Sequence, residues 1–193
     1  MSRETHEIVY YNNDYYVCVY NEEEEEEDKC CCLSFSKLFE KGVNNKLFLV
    51  SLIDTEYLNA ILSFFDSHPD MVIGFLRPNN TFYIRLIEFK RIQPDKNKDD
   101  EDIKSKIAHA IGKQLVGFFD LIEKKIIEPY KVKKKVSVDK KFFLVIPKDS
   151  VTTVTGIVKE TLRSTTFYNL IINDQLKIIP CEALETSCNE NKG

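Results

Sequence analysis

The sequence predicts a mixed α/β fold, in which a mixed central β-sheet is flanked by helices and preceded by an N-terminal β-hairpin. Short alternating segments rich in Tyr, Val and Ile are typical of strands. Two other segments carry apolar residues three and four positions apart, as amphipathic helices do. The segments follow one another as strands, helix, hairpin, long helix and strand, within a chain of 193 residues that fits one domain.

The N-terminal part, residues 1–50, is expected to be a β-rich extension with an acidic loop. Residues 7–20 alternate between apolar and polar positions around Asn12-Asn13-Asp14, which favours a turn, so two strands are expected. Seven consecutive acids, Glu22 to Asp28, then indicate a solvated loop. Residues 30–35 are expected to return as a strand.

The middle of the chain carries the alternation of strands and helices that defines the predicted fold. Residues 54–66 are expected to form a helix. Residues 71–76 and 81–90 are expected to form a hairpin, because turn-favouring residues lie between two apolar runs. A long helix is predicted over 102–125. Its apolar face consists of Ile103, Ile107, Ile111, Leu115, Phe118 and Ile122.

The segment after the long helix is expected to add strands to the sheet. The sequence FFLVIP at 142–147 predicts a buried strand, and residues 148–193 are expected to contribute C-terminal strands. Residues 151–163 are ambiguous, because their β-branched content favours a strand while a short helix near their end is an alternative. Residues 167–179 predict a hairpin around Asn173-Asp174.

Composition favours a soluble cytoplasmic protein. Hydrophobic residues make up 43% of the chain and charged residues 30%, which excludes a disordered tail protein. There is no apolar run of about 18 residues and no apolar leader, so neither a membrane span nor a signal peptide is expected. The net charge is −4, but without the acidic block the basic residues exceed the acidic ones by three. The overall charge therefore does not exclude a polyanionic partner.

Two carboxylates are predicted to meet at one end of the central hairpin. If its turn spans residues 78–80, the pairing register places Asp70 opposite Glu88. Glu88 and Lys90 are two positions apart in a strand, so they share a face, at the point where an apolar stripe ends. Opposed carboxylates, with Cβ atoms about 4.5–5.5 Å apart, repel each other unless a cation joins them.

This arrangement suits a hard divalent cation. The carboxylates of Asp70 and Glu88, with the backbone carbonyl of Phe89, would form the all-oxygen site that Mg²⁺ or Mn²⁺ prefers. Such an ion can activate a water and neutralise charge on a phosphate. Lys90 would then orient the nucleophile or stabilise the phosphate oxygens. From geometry alone, a salt-bridge trio at the end of a strand is an equally simple alternative.

Pro69-Asp70, seventeen intervening residues and Glu88-Phe89-Lys90 resemble the signature of the PD-(D/E)XK nuclease superfamily. The hairpin and the following helix also match the order of elements in that superfamily, over about residues 52–147. The resemblance implies a restriction-endonuclease-like core of the RecB-like or archaeal endonuclease-like kind. It also implies that Asp70, Glu88 and Lys90 are catalytic, and that Asp70, Glu88 and Phe89 bind the metal.

A second motif lies on the long helix. The sequence AIGKQLVGFF at 110–119 resembles the "QLxxY" helix of RecB-like nucleases, with Phe118 in place of Tyr, and the "AIGQL" helix of other members, with one residue inserted. The Gln of those relatives contacts the active site, so Gln114 is expected to assist catalysis. Many relatives also carry an acid on the helix before the Asp strand. Glu56 is the candidate here, and Glu40 is the alternative.

Six cysteines occur in the chain, at positions 18, 30, 31, 32, 181 and 188. Reduced thiols are the first expectation in a chain without a secretory signal, and a disulfide is the next. Three cysteines in a row suit neither a zinc site nor an iron–sulfur site. The iron–sulfur subgroup of RecB-like nucleases carries a C-terminal cysteine trio, whereas this chain has two. We therefore do not expect an iron–sulfur cluster.

A lysine-rich segment is the candidate nucleic-acid interface. Residues 121–150 contain nine lysines against four acids, and Lys133, Lys134 and Lys135 are expected to contact a phosphate backbone beside the metal site. A solvated surface is the alternative. The resulting hypothesis is a nuclease that depends on Mg²⁺ or Mn²⁺ and acts on DNA rather than RNA, with a homodimer left open. The main alternative is a catalytically inactive nucleic-acid-binding or protein-interaction module of the same fold.

Overall fold

The computed structural model of the chain describes residues 4–21, 30–38, 68–76, 80–91, 100–131, 135–163 and 168–182. The chain divides into two compact units, residues 1–45 with 180–193, and residues 46–179. The structure contains a three-stranded sheet and a four-stranded sheet, and each is accompanied by helices. The predicted mixed α/β class is therefore confirmed.

The first unit is built on an antiparallel sheet with the order β1-β2-β3. Its strands are β1 (Glu4–Tyr11), β2 (Asp14–Asn21) and β3 (Cys30–Ser34), and the short helix α1 (Phe35–Leu38) follows. Asn12 and Asn13 join β1 to β2 with φ angles of 47° and 63°. Two consecutive positive φ angles favour a tight hairpin whose twist matches that of its strands, and Asn tolerates them. The predicted N-terminal strands are confirmed.

The cysteines of this unit form disulfides, so the expectation of reduced thiols is wrong for four of them. The register of β2 and β3 places Cys18 directly opposite Cys32, and the two are bonded. Cys31 is bonded to Cys181, which lies beside an antiparallel bridge between Cys32 and Glu182. Both backbone hydrogen bonds of that bridge form, at 2.9 Å and 3.0 Å. Pairing of Cys18 with Cys32 is favoured because the ladder holds these two residues opposite one another.

The second unit is built on a mixed sheet with the order β4-β5-β6-β7. Strands β4 (Met71–Leu76) and β5 (Thr81–Phe89) form the predicted antiparallel hairpin. β5 runs parallel to β6 (Ser137–Ile146), and a helical crossover connects them, as a parallel pair requires. β7 (Leu176–Pro180) completes the sheet. The predicted strands of the central hairpin and FFLVIP are thus confirmed.

The crossover is one long helix, α2, over residues 100–131, which extends beyond the predicted 102–125 at both ends. Its middle is widened by π-helical turns. Pro129 lies just after the second of them and has no N–H to donate to the preceding turn, so a regular α-helical ladder cannot continue there. The helix consists of Asp100–His109, the π segment Ala110–Gly117, Phe118–Ile122, the π segment Glu123–Ile127, and Glu128–Lys131.

The core of the second unit lies between α2 and one face of the sheet. All six residues of the predicted apolar face of α2 are buried. They pack against alternate residues of the strands, including Ile84, Leu86, Phe142 and Leu144. Since these positions share the face of Glu88, the packing fixes which side of β5 the carboxylate points to. The core therefore positions the candidate site.

The C-terminal part differs from the prediction. Residues 151–163 form a helix, α3 (Val151–Arg163), and residues 167–179 do not form a hairpin. A turn is present at Asn173 and Asp174, but the short helix α4 (Tyr168–Ile172) precedes it instead of a strand. The Asn173 N–H donates to the Asn169 carbonyl at the end of that helix. β7 then follows the turn. Val154, Val158 and Leu162 recur at every fourth position and are buried, so packing of this stripe outweighs the strand preference of β-branched residues.

Two further predictions concern the helices. The helix predicted over 54–66 lies outside the described residues. Among the helices of the described ranges, none combines the length and the apolar character needed to cross a membrane.

Candidate active site

The candidate site begins where β4 and β5 pair at the open end of their hairpin. Met71 pairs with Ile87, and Leu76 pairs with Phe82. Continued by one residue, this register places Asp70 opposite Glu88, so the predicted register is confirmed. Asp70 lies in a bend just before β4 and is half-buried, whereas Glu88 is the penultimate residue of β5 and is 0% exposed.

Two hydrogen bonds between side chains and backbone hold the carboxylates in place. The Asp70 backbone N–H donates to Glu88 Oε2 at 3.1 Å. The Phe89 backbone N–H donates to Asp70 Oδ2 at 2.6 Å. Each carboxylate thus accepts a bond from the opposite strand, and together they extend the hairpin by one step. The carboxylates are therefore part of the structure of the sheet end.

Lys90 follows β5 and carries the positive charge of the site. Its ammonium forms an ion pair with Glu88 Oε1, and its side chain is 30% exposed. Its backbone N–H donates to the Val145 carbonyl of the neighbouring parallel strand at 2.8 Å. The ammonium consequently lies at the boundary between a buried carboxylate and solvent, where it can also contact a bound anion.

The electrostatics of the site centre on Glu88. Burial, followed by the negative charge of Asp70, raises the pKa of the Glu88 carboxyl to about 8, whereas Lys90 and the Asp70 N–H lower it. A buried carboxylate beside a second carboxylate is stabilised when a cation joins the two. The pair is therefore arranged to gain from additional positive charge.

Gln114 approaches the same place from α2. Its Nε2 donates to the His68 carbonyl at 3.3 Å, two residues before Asp70. Its Oε1 is buried and has no hydrogen-bond partner in the part of the chain that the structure describes. The residue lies in the π segment Ala110–Gly117, and π-helical turns inside α-helices often occur at functional sites. The structure thus brings Gln114 to the segment that carries Asp70, as the sequence predicts.

The donor atoms fit a hard divalent cation. Asp70 and Glu88 supply carboxylate oxygens, and the register places Pro69 opposite Phe89. Pro69 has no N–H, so it cannot donate to the Phe89 carbonyl, which is the third predicted ligand. Within the described ranges, no group of three or more His, Cys, Asp or Glu side chains is placed to hold a metal. An ion here would complete its coordination with that carbonyl and water, as Mg²⁺ usually does.

The remaining predicted site residues lie elsewhere. Lys135 is exposed and precedes β6, whose Ser137 pairs with Thr81 at the opposite end of β5 from Glu88. Glu88 is seven positions along β5 from Thr81, or about 23 Å at the rise of a β-strand. Lys133, Lys134, Glu56 and Glu40 lie outside the described residues. Lys135 is thus not brought to the carboxylates, in contrast to Lys90 and Gln114.

Three contributions were not predicted from the sequence. They are the His68 carbonyl that accepts from Gln114, the Val145 carbonyl that accepts from Lys90, and the missing donor at Pro69. The Pro69 contribution follows from the hairpin register and could have been derived from the sequence. The other two depend on how α2 and β6 pack on the hairpin, for which the sequence carries no local signal.

Comparison of the chain with family models, with curated proteins and with solved structures found no match.

Proposed function

We propose that this chain is a divalent-metal-dependent nuclease of the PD-(D/E)XK type, which hydrolyses phosphodiester bonds in DNA. The observation that carries the proposal is the junction of Asp70, Glu88 and Lys90 at one end of the hairpin. Two opposed carboxylates meet there, each held by a backbone N–H, and the ammonium forms an ion pair with Glu88. A surface salt bridge requires only one carboxylate. Here Lys90 pairs with the buried Glu88, and a second carboxylate, that of Asp70, lies opposite Glu88.

The carboxylates of Asp70 and Glu88 and the Phe89 carbonyl would hold Mg²⁺ or Mn²⁺. When bound, such an ion activates water for attack and neutralises negative charge on the phosphate. Asp70 and Glu88 keep fixed positions because each accepts a backbone hydrogen bond. Ligands that are already in place reduce the cost of ordering the site when the ion binds.

Lys90 supplies a fixed positive charge for the phosphate. Glu88 orients the ammonium, and the partial exposure of Lys90 leaves room for an anion to approach it. A positioned cation is most effective at oxygens that gain negative charge in the transition state. Gln114 contributes the unpaired Oε1, which can accept a hydrogen bond from a water or from the substrate.

The experiment is a cleavage assay with labelled single- and double-stranded DNA and RNA, in Mg²⁺, in Mn²⁺ and in chelator. The Asp70→Ala variant removes a ligand, and Asp120→Ala, an exposed acid on α2, is the matched control. We expect metal-dependent cleavage of DNA that Asp70→Ala lowers at least 100-fold, in the range reported for loss of an electrostatic catalytic group. Equal cleavage by wild type and Asp70→Ala would contradict the proposal.

A second candidate is a binding module of the same fold without catalysis. Two observations favour it. Among the described residues, no three His, Cys, Asp or Glu side chains are grouped to hold a metal, and Lys90 already neutralises part of the charge of Glu88. This candidate predicts DNA binding in chelator with no cleavage in either metal. The same assay, with binding measured alongside cleavage, therefore separates the two functions.

A further inference from the structure

The end of the sheet that carries the carboxylates also carries exposed basic side chains from three elements. Arg91 follows Lys90 after β5, Lys148 follows β6, and Lys113 precedes Gln114 on α2, and all three are exposed. Arg91 and Lys113 lie outside the lysine-rich segment 121–150, and Lys148 belongs to it but is not one of the three lysines predicted there to contact a phosphate backbone. The sheet register relates Arg91 to Lys148, and the contact of Gln114 with the His68 carbonyl relates Lys113 to the site.

The parallel register shows how close the first two are. Phe89 pairs with Val145, so the same register places Arg91 opposite Pro147, the residue before Lys148. Neighbouring strands are about 4.8 Å apart, so the backbone of Arg91 lies beside that of Pro147, one residue before Lys148. The backbone N–H of Lys90, one residue before Arg91, donates to the Val145 carbonyl, so this edge of the sheet adjoins the candidate site.

The third cation is tied to the site through the helix. Gln114 is bonded to the His68 carbonyl, just before Asp70, and Lys113 is its neighbour in the chain. Lys113 and Lys148 form no ion pair with any residue in the described ranges. Asp149, next to Lys148, is also exposed and lowers the positive charge of this edge.

We infer that Arg91, Lys113 and Lys148 form the surface that holds the phosphate backbone of the DNA at the site. This inference rests on the proposed function. A backbone with one charge every 3.4 Å per strand needs cations within a few phosphates of the bond that is cut. Lys135 lies beyond Thr81, which is about 23 Å along the strand from Glu88, or about seven base pairs, so Lys135 is too remote to position that bond.

The test measures binding of a fluorescein-labelled DNA duplex in chelator, so that cleavage cannot interfere. The variant Arg91→Gln/Lys113→Gln/Lys148→Gln is compared with the charge-matched control Lys106→Gln/Lys159→Gln/Arg163→Gln, whose side chains are also exposed on helices of the second unit. The single variant Lys135→Gln tests the competing location. Circular dichroism and thermal unfolding verify that each variant is folded.

We expect the first triple variant to bind at least tenfold more weakly than wild type, because several phosphate contacts are lost. The slope of log affinity against log salt concentration should become less steep by about 0.9 for each phosphate contact removed. The control variant and Lys135→Gln should bind within about twofold of wild type, since they leave those contacts intact.

A triple variant that binds like its charge-matched control would overturn the inference, as would a larger loss in Lys135→Gln. A wild type that binds no duplex would overturn it as well. The proposed function is judged separately, by metal-dependent cleavage and its loss in Asp70→Ala. Cleavage that depends on Asp70, with binding that does not depend on the three cations, would retain the nuclease and reject this surface.

Discussion

The backbone N–H of Asp70 donates to the buried carboxylate of Glu88, 3.1 Å away, across the open end of the β4–β5 hairpin. Phe89 returns a backbone hydrogen bond to Asp70, so the strands are closed by the same carboxylates that form the candidate site. The closure of the hairpin and the candidate site therefore depend on the same atoms. Isosteric substitutions, which keep the hydrogen bonds, are the appropriate way to separate the two.

Glu88→Gln should change how stability depends on pH in the metal-free protein. The pKa of Glu88 is about 8 in the folded protein, against an ordinary value of 4.5. The folded protein thus holds a proton that the unfolded chain has released, and stability falls as the pH rises between these values. The variant keeps the neutral form throughout.

Between about pH 5 and about pH 9 the wild type should lose on the order of 4 kcal/mol more than Glu88→Gln. The measurement is chemical denaturation in chelator at a series of pH values, with Glu160→Gln, an exposed acid of α3, as the control. Parallel curves for wild type and Glu88→Gln would show that Glu88 stays charged in the folded protein.

Addition of Mn²⁺ or Mg²⁺ should stabilise the wild type more than Asp70→Asn. An ion that binds only the folded protein raises its stability by about 2.7 kcal/mol at a concentration 100 times its dissociation constant. Asp70→Asn keeps an oxygen that can accept from Phe89 but lacks the charge that attracts the ion. Thermal unfolding with increasing metal measures the difference, and Asp120→Asn is the control. An identical shift in Asp70→Asn would place the ion elsewhere.

The buried guanidinium of Arg85 should make Asp139 important for stability. Arg85 Nη1 donates to Asp139 Oδ1 at 2.8 Å and to the Asp139 carbonyl at 3.0 Å, and the Arg85 side chain is 4% exposed. Removal of one partner of a buried pair leaves a charge without compensation. Because Asp139 is itself partly exposed, we expect Asp139→Ala to cost roughly 2 kcal/mol.

Asp139→Asn should cost less than Asp139→Ala, since the amide oxygen can still accept from Arg85. Asp149→Ala, an exposed acid beyond the end of the same strand, should leave stability within about 0.5 kcal/mol of wild type. Urea denaturation of the three variants measures both differences. An Asp139→Ala variant as stable as wild type would show that water replaces the carboxylate at Arg85.

The two disulfides should differ in how much they stabilise the chain. Cys18 and Cys32 are 14 residues apart, whereas Cys31 and Cys181 are 150 apart. A disulfide restricts the unfolded chain more strongly when it closes a longer loop, by about 3 kcal/mol for 15 residues and about 4.7 kcal/mol for 100. Cys31→Ala/Cys181→Ala should therefore lower the denaturation midpoint more than Cys18→Ala/Cys32→Ala.

Peptide mapping without reductant should first identify both pairings. The order of the midpoints then tests the role of loop closure, because both variants remove two cysteines. The opposite order would indicate that loss of packing at the fully buried Cys18 and Cys32 outweighs chain entropy.

The hairpin and its carboxylates could be predicted from the sequence because their determinants are local. The pairing register of β4 and β5 follows from the short segment that joins them in the chain, and that register brings Asp70 to Glu88. The buried face of α2 could be predicted for the same reason, since its apolar residues recur in consecutive turns of the helix. Local patterns are sufficient where neighbours in the chain are neighbours in the fold.

Other features depend on contacts between distant segments. The bond from Lys90 to Val145 requires the parallel register of β5 and β6, which α2 separates in the chain. The pairing of Cys31 with Cys181 joins two residues that are 150 positions apart in the chain. For α3, strand propensity was a poor guide because the stripe of Val154, Val158 and Leu162 packs against the core.

Gln114→Leu should separate stability from activity. Gln114 Oε1 is buried without a hydrogen-bond partner among the described residues, so an apolar side chain of similar size removes an unsatisfied acceptor. Loss of the 3.3 Å bond to the His68 carbonyl opposes this gain. We therefore expect stability within about 1 kcal/mol of wild type. Cleavage should fall roughly tenfold or more, because the acceptor for water or substrate is lost.

Gln114→Glu is the informative companion to this variant, since it keeps an acceptor at the same place but adds a negative charge near Asp70. If the acceptor is what matters, Gln114→Glu should retain more cleavage than Gln114→Leu when the metal concentration is high. Thermal unfolding and the cleavage assay, applied to both variants, measure the two effects. A Gln114→Leu variant that unfolds far below the wild type and loses cleavage in proportion would assign Gln114 to packing alone.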